Sequence, residues 1–260
     1  MTYLSFLANH IAPILISYRK NGDEGSDILT AFVLSVSNRW FLITAGHCLT
    51  NIKQLLSDGY QIVECSLIDS LGPDAGNRIP IPFPYEPNNA LVVDNDEFDY
   101  GAIALSDYYR RLMEKNNIRP LNEEVWLDQP TMPEAYVLCG FPAETTKFNT
   151  AFVETSSTQI LIRRIENPTD LLKKVRPGLF YGQIRLDQDL KSIKGMSGGP
   201  IFAFQKDKEG RIRYWLVGLQ SSWVPDKQII IAHPITVLGK ALRECFIIRS
   251  LTQSLAYTAV

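Results

Sequence analysis

Short apolar runs separated by polar turn residues dominate the chain, and they predict strands rather than long helices. The runs at 28–36 and 40–45 are separated by S-N-R and predict a hairpin. The turn D-K-E-G at 207–210 predicts a second hairpin. Other predicted strands lie at 134–140, 200–204, 213–220 and 228–232. The pattern favours a barrel or sandwich over a parallel α/β sheet.

Helical spacing is confined to short segments between the strands. A short amphipathic helix is expected within residues 1–18, leading into a strand, and a closing helix is expected after Pro234. The proline-rich segment 71–90 is predicted to be a long surface loop, and 115–133 is predicted to cross between two halves of the chain. The other predicted helices cover 50–57, 106–117 and 168–175.

Composition and charge narrow the class of protein. The 260 residues are 45% hydrophobic and 21% charged, which is ordinary for a globular protein with a substantial core. The formal net charge of −2 gives no strong field for nucleic acid or an anionic membrane, so neither is an expected partner. The apolar start of the chain lacks a basic leader, and Asn9, His10 and Pro13 interrupt it. We therefore expect a cytoplasmic protein without a signal peptide.

The cysteines provide no evidence for a metal site. Those at positions 48, 65, 139 and 245 form no C-x-x-C pair and no Cys/His cluster of zinc spacing. In a cytoplasmic protein such cysteines are expected to be free thiols. Neither a metal nor another cofactor is predicted.

Three separated segments contain the residue types that acyl transfer needs, namely a nucleophile, a base and a carboxylate that orients the base. His47 is the candidate base because it follows a predicted buried strand and small residues, although an isolated histidine is more often a core residue. Asp99 is the candidate carboxylate, since an acid just before a strand can fix the imidazole tautomer. Ser197 is the candidate nucleophile, although a serine in a glycine-rich turn is by itself a weak signal.

Together, T-A-G-H-C at 44–48, D-Y-G-A-I-A-L at 99–105 and G-M-S-G-G-P at 195–200 resemble the chymotrypsin-like serine peptidases. The order His, Asp, Ser is that of the family, and V-G-L-Q-S-S-W at 217–223 resembles its substrate-flanking strand. T-A-G-H-C, with V-L-C-G-F-P at 137–142, is more similar to bacterial glutamyl-endopeptidase-type relatives than to digestive trypsins.

The resemblance implies an all-β fold of two packed antiparallel β-barrels, with short helical insertions and a C-terminal helix. Residues 1–120 would contain the N-terminal helix and the first barrel, which carries the His and Asp candidates. Residues 121–260 would contain the second barrel, which carries the Ser candidate, and the C-terminal helix.

The resemblance also implies a role for each site residue. Ser197 would attack a peptide carbonyl, His47 would move the proton, and Asp99 would stabilise the imidazolium. The N–H groups of Gly195 and Ser197 would form the oxyanion hole.

Two positions depart from the family pattern. In zymogen-type members an acid before the nucleophile pairs with a newly cut N-terminus, whereas this chain has Met196 and is expected to be active without such cleavage. The cysteine after the family's histidine usually forms a disulfide, but its partner position falls at or near Phe32. Cys48 is therefore expected to be a free thiol packed against that ring, with a redox-regulated thiol as the alternative.

Substrate preference stays open at this point. Ungapped counting from the family pattern places Lys191 near the base of the primary specificity pocket, where a cation would favour an acidic side chain. The alternative is a lysine that points to solvent. His233 is a candidate for the far wall of the pocket or for a structural role at a strand end. The predicted substrate-binding strand contains Gln220, Ser221, Ser222 and Trp223.

The sequence thus predicts a cytoplasmic serine endopeptidase that acts on a protein or peptide substrate through an acyl-enzyme. Latency relieved by a regulatory protein partner is a further hypothesis. Two alternatives use the same fold, namely a binding module that has lost catalysis and an esterase.

Overall fold

Antiparallel strands make up most of the architecture. The computed structural model describes residues 5–68, 80–130, 132–148, 153–186 and 190–245. Strands of the first half are β1 (Ile14–Lys20), β2 (Asp23–Leu29), β3 (Phe32–Val36), β4 (Arg39–Thr44), β5 (Gln61–Leu67), β6 (Ile81–Pro82), β7 (Ala90–Asp94) and β8 (Asp99–Ala104). Strands of the second half are β9 (Ala135–Gly140), β10 (Lys147–Phe148), β11 (Val153–Glu154), β12 (Thr158–Arg164), β13 (Phe180–Ile184), β14 (Pro200–Lys206), β15 (Ile212–Val224) and β16 (Ile229–Pro234).

Helices are short and lie between or after the strands. They are α1 (Gly46–Ser57), α2 (Asp107–Lys115), α3 (Glu123–Trp126) and α4, which covers residues 235–245. Single 3-10 turns cover Ser5–His10, Pro87–Asn89, Ala143–Thr145, Pro168–Asp170 and Pro225–Lys227. Among the helices in the described ranges, none is long and apolar enough to cross a membrane.

The first half consists of two four-stranded sheets, in the orders β2-β1-β5-β6 and β3-β4-β8-β7. The two sheets share one apolar core, to which each contributes buried branched side chains. Examples are Ile14, Val33, Leu42, Leu67 and Ile103. The β3–β4 hairpin turns at Ser37 and Asn38, which both have positive φ, as the right-handed twist of a tight hairpin requires.

The second half is a closed six-stranded barrel in the order β12-β13-β16-β15-β14-β9. Its interior is filled by apolar side chains, among them Leu138, Ile193, Met196, Ile201 and Ile230. The β14–β15 hairpin closes with Gly210, whose φ of +79° is strained for any other residue.

A third apolar cluster joins the two halves. It combines Phe32 and Ile43 of the first half with Phe202 and Leu219 of the barrel. Trp126 of α3 and Leu238 of α4 belong to the same cluster. The segment that connects the two halves and the last helix therefore both pack against the contact between the halves. The candidate site lies where the two halves meet.

The predicted all-β, chymotrypsin-like fold class is confirmed, as are the two hairpins and the closing helix. The second predicted barrel is a closed six-stranded barrel, whereas the first half forms two four-stranded sheets around one core. The prediction of one strand over 28–36 is wrong, because the chain breaks between β2 and β3, where Thr30 bonds across to the other half. The division at residue 120 stays a prediction.

The helix predictions are partly correct. The predicted helix at 50–57 begins earlier, at Gly46, and the predicted helix at 106–117 is found as α2. The predicted helix at 168–175 is wrong, since only one 3-10 turn forms there. Of the predicted loop 71–90, residues 71–79 lie outside the described residues, while β6 and one 3-10 turn occupy part of the remainder.

Candidate active site

His47 lies in the first turn of α1, immediately after β4. The turn into the helix is tight, because a Cβ on Gly46 would come within 2.3 Å of the Val93 carbonyl oxygen. The backbone N–H of His47 is one of the N-terminal groups that a helix leaves without an internal acceptor. The carboxylate of Asp99 accepts it, with 2.8 Å between N and Oδ1.

Asp99 begins β8 and is only 6% exposed. Its Oδ2 accepts the imidazole Nδ1–H of His47 at 2.7 Å and the hydroxyl of Ser221 at 2.5 Å. Burial on its own opposes ionisation of Asp99, but the hydrogen bonds from His47 and Ser221 outweigh it and hold the pKa of the carboxyl below its ordinary value. In return, the hydrogen bond to Asp99 raises the pKa of His47 above 6.5, against the opposing effect of burial.

Ser197 lies in the loop between residues 190 and 200. Around Ser197, residues whose N–H is hydrogen-bonded alternate with residues whose N–H is not. The N–H of Met196 donates to Ile193 O at 3.0 Å, and the N–H of Gly198 donates to Gln220 O at 2.8 Å. Among the described residues, the N–H groups of Gly195 and Ser197, which alternate with these bonded groups, have no acceptor. Gly195 has φ of +90°, a conformation that only glycine adopts without strain. The loop therefore presents two unpaired N–H donors beside the serine hydroxyl.

The serine hydroxyl is not bonded to the imidazole. Ser197 Oγ donates instead to the carbonyl oxygen of Ser221, at 3.4 Å, and no hydrogen bond to His47 occurs among the described residues. His47 and Ser197 both line one cleft of about 300 Å³. In proteins without bound substrate such contacts are often long and tighten only when substrate arrives.

Thr30 connects the loop at residues 190–200, which contains Ser197, to the first half of the chain. Its hydroxyl donates to Gly195 O at 2.8 Å and accepts the buried N–H of Phe141 at 3.0 Å. Its carbonyl oxygen accepts the hydroxyl of Thr44 at 2.8 Å. This network fixes the direction of the Gly195 carbonyl, and no sequence motif pointed to Thr30.

Met196 is fully buried in the barrel interior. It packs beside Gly140, where a Cβ would meet the Met196 side chain at 3.1 Å. The side chain before the serine is thus held by apolar contacts and needs no charged partner.

Cys48 is a buried free thiol, and Cys65, Cys139 and Cys245 are also free. Cys48 and Phe32 belong to the same apolar cluster. The thiol lies 3.9 Å from the carbonyl oxygen of Ser197 and lines the cleft beside His47.

The predicted specificity residues fall in different places. Lys191 is exposed, and its backbone N–H donates to Glu144 Oε1 at 2.6 Å. His233 is 2% exposed, packs edge-on against Tyr100 and is not among the residues that line the cleft. Burial lowers the pKa of His233, which favours the neutral ring. Neither position supports a role in binding an acidic side chain.

The predicted substrate-binding strand is the end of β15. Ser222 is exposed there, while Ser221 is buried and supports Asp99, a role that the sequence did not reveal. Gln220 is also buried, and Trp223 is partly buried against the barrel interior.

Comparisons with known proteins agree on the fold. No protein-family model and no curated protein matches the chain. Among solved structures, the scabies mite inactivated protease paralogue S-D1 is 14% identical, with 95% of this chain and 94% of that chain covered and a TM-score of 0.53. Paralogue S-I1 is 13% identical, with 93% and 94% covered and a TM-score of 0.51. HL collagenase is 16% identical, with 93% and 95% covered and a TM-score of 0.50.

The chain therefore has the fold of the chymotrypsin-like serine proteases. At these identities the likeness shows the fold alone, and two of these structures are named as inactivated.

Proposed function

We propose that this protein is a serine endopeptidase that hydrolyses peptide bonds through an acyl-enzyme. The observation that carries the proposal is the pair of unpaired N–H groups at Gly195 and Ser197, between neighbours whose N–H groups are bonded. Such donors are what an oxyanion needs beside a nucleophile. His47, hydrogen-bonded to Asp99, lines the same cleft as Ser197.

In this mechanism Ser197 Oγ attacks the peptide carbonyl, and His47 Nε2 takes the hydroxyl proton. The N–H groups of Gly195 and Ser197 stabilise the oxyanion, and loss of one such donor in a comparable site costs about 10²–10³ in rate. Collapse of the intermediate breaks the C–N bond, and His47 gives its proton to the leaving amine. Water then repeats the sequence and releases the acid; Asp99 orients the imidazole throughout and stabilises the imidazolium each time that it forms.

We also propose that activity needs no cleavage at the N-terminus, because the buried Met196 takes the place of an acid that would require a charged partner. The four free thiols support a reducing, cytoplasmic compartment. The resemblance to bacterial glutamyl-endopeptidase-type relatives stays a prediction.

One observation favours a second candidate, a protein-binding module without catalysis. The hydroxyl of Ser197 donates to Ser221 O rather than to His47, and the fold is shared with inactivated paralogues. If a regulatory partner has to turn this hydroxyl toward the imidazole, the enzyme is latent until that partner binds.

Cleavage-site profiling tests these candidates together. A peptide library, unfolded casein and an ester panel are incubated with the wild type and with Ser197→Ala. Peptide cleavage that the variant lacks supports the endopeptidase, and ester hydrolysis alone supports the esterase. Absence of both activities supports the binding module, and full activity on casein by the isolated chain contradicts control by a partner.

A further inference from the structure

The β15 strand changes the direction of its side chains beside the nucleophile. The pairing with β16 shifts between Gln220 and Ser222, so Ser221 forms a bulge. This bulge lets Ser221 reach Asp99 in the other half of the molecule. Gln220 lies opposite Ala232, and Trp223 lies opposite Ile230.

Residues directly opposite each other in an antiparallel pair share a face of the sheet. Ala232 and Ile230 belong to the apolar interior of the barrel, together with Met196, and Trp223 packs against the same cluster. Gln220 and Trp223 therefore lie on the interior face, although they are three positions apart.

This part of the interior adjoins Ser197. The backbone of Gln220 accepts the N–H of Gly198 at 2.8 Å and donates to Gly199 O at 2.9 Å. The side chain of Gln220 thus begins one strand away from the loop that contains Ser197.

Two polar atoms in this region have no hydrogen-bond partner. Gln220 Oε1 is an acceptor in a residue that is 2% exposed, and Trp223 Nε1 is a donor. Most buried polar atoms in proteins are paired, because an unpaired one loses its hydration without compensation. A ligand group that is both a donor and an acceptor could pair with both Gln220 Oε1 and Trp223 Nε1.

We propose that Gln220 and Trp223 bind the substrate side chain that precedes the scissile bond, and that they select a carboxamide, that of Gln or Asn. The inference rests on the proposed peptidase function. The amide NH₂ of the substrate donates to Gln220 Oε1, and its carbonyl accepts the indole N–H of Trp223. A carboxylate offers no donor to Gln220 Oε1, and an apolar side chain leaves both atoms unpaired.

The surroundings agree with a neutral ligand. Trp223 packs against an apolar cluster that includes Ile160, Ile193 and Ile230. Lys191, the cation that would favour an acid, is exposed. The aliphatic stem of Gln or Asn would pack against apolar neighbours such as Ile193 and Ile230.

The site is closed in the free protein, since both unpaired atoms are sealed from solvent. Trp223 is partly exposed beside the exposed Ser222. The indole is thus the element that the incoming side chain displaces, and its N–H gains a partner on displacement.

The test is a series of peptides that differ only in the residue before the scissile bond, namely Gln, Asn, Glu, Leu and Lys. We expect kcat/KM for Gln or Asn to exceed that for Leu and for Glu at least about tenfold, since a site built for a hydrogen-bonding group discriminates strongly against analogues that lack it. Peptide aldehydes of the same series, competing with a fluorophosphonate probe for Ser197, give the ranking without turnover.

Gln220→Met separates specificity from structure. It removes the acceptor at similar volume, so the ratio of Gln to Leu cleavage should fall toward one while Tm stays or rises, because an unpaired buried polar atom is lost. Trp223→Phe should lower the same ratio by removing the donor. Gln205→Met, the same substitution on β14, should leave the ratio unchanged. A lower Tm with an unchanged ratio in Gln220→Met would show a structural role alone.

The probe also separates the two proposals. A folded wild type that neither reacts with the probe nor cleaves any peptide refutes the peptidase and this inference with it. A labelled enzyme that prefers Leu, Glu or Lys, or whose labelling no carboxamide aldehyde slows, refutes the inference alone.

Discussion

At the scale of single residues, Asp99 performs two tasks with one carboxylate. Its Oδ1 caps the first turn of α1 and its Oδ2 orients the imidazole, so the same ion fixes both the backbone and the side chain of His47. Ser221 adds a third donor. Three donors explain how a buried acid stays ionised, because they outweigh the cost of burial.

The first prediction concerns pH. His47 must be neutral to accept the serine proton, and the hydrogen bond to Asp99 raises the pKa of His47 above its ordinary 6.5. Activity therefore decreases progressively as the pH falls below that pKa, and kcat/KM should rise with pH through an apparent pKa above 6.5. In Asp99→Asn this apparent pKa should fall, and kcat should drop by about 10⁴, as loss of the orienting carboxylate does in a comparable triad.

The measurement is a pH profile of kcat/KM for both proteins, with circular dichroism as a control for folding. A wild-type apparent pKa at or below 6.5, or one unchanged in Asp99→Asn, would contradict the role given to this pair.

Sequence reasoning identified His47, Asp99 and Ser197 because each lies in a short motif. It did not identify Ser221 as the partner of Asp99, since that contact depends on a bulge in β15 and on the approach of two distant strands. Thr30 was missed for the same reason, because its partners lie more than a hundred residues away.

Among the elements, the break between β2 and β3 holds the loop that contains Ser197 in place. Thr30 occupies that break, and its hydroxyl joins Gly195 O to the N–H of Phe141. Residues 28–36 were predicted to form one strand because every residue there suits a strand. The interruption is explained by the hydrogen bonds of Thr30 to Gly195 and Phe141, which are distant in the sequence.

Thr30→Val is the second prediction. The valine has nearly the same shape but leaves the buried N–H of Phe141 unpaired, so the free energy of unfolding should fall by about 1–3 kcal/mol. The Gly195 peptide also loses its anchor, and kcat should fall by up to about 10²–10³, the cost of one oxyanion donor. Urea unfolding and single-turnover kinetics measure the two effects.

Thr30→Ser is the matched control, because it keeps the hydroxyl and should retain most of the activity. Equal kcat in the Val and Ser variants would show that the hydroxyl does not position Gly195.

Met196 provides the third prediction. Met196→Asp places a charge in an apolar interior without a described partner, and the free energy of unfolding should fall by about 3–5 kcal/mol. Met196→Leu keeps the apolar volume and should cost less than about 1.5 kcal/mol. Urea denaturation compares the three proteins, and a Met196→Asp variant as stable as the wild type would contradict the apolar role of this position.

At the scale of the whole molecule, the site exists only because the two halves pack together. His47 and Asp99 come from the first half and Ser197 from the barrel, and the apolar cluster around Phe32 and Phe202 sets their separation. The motif order in the sequence predicted this division of labour through its resemblance to a family. The strand order and the exposure of Lys191 could not be predicted from the sequence, because both depend on the conformations of loops that vary in length.

Covalent labelling by a fluorophosphonate probe tests the proposal that Ser197 is a nucleophile activated by His47. Intact-mass spectrometry is applied to the wild type, Ser197→Ala and His47→Ala after equal exposure. We expect one adduct per wild-type chain at Ser197, none in Ser197→Ala, and strongly slowed labelling in His47→Ala. A folded wild type that takes up no probe, or one that reacts no faster than His47→Ala, would contradict this proposal.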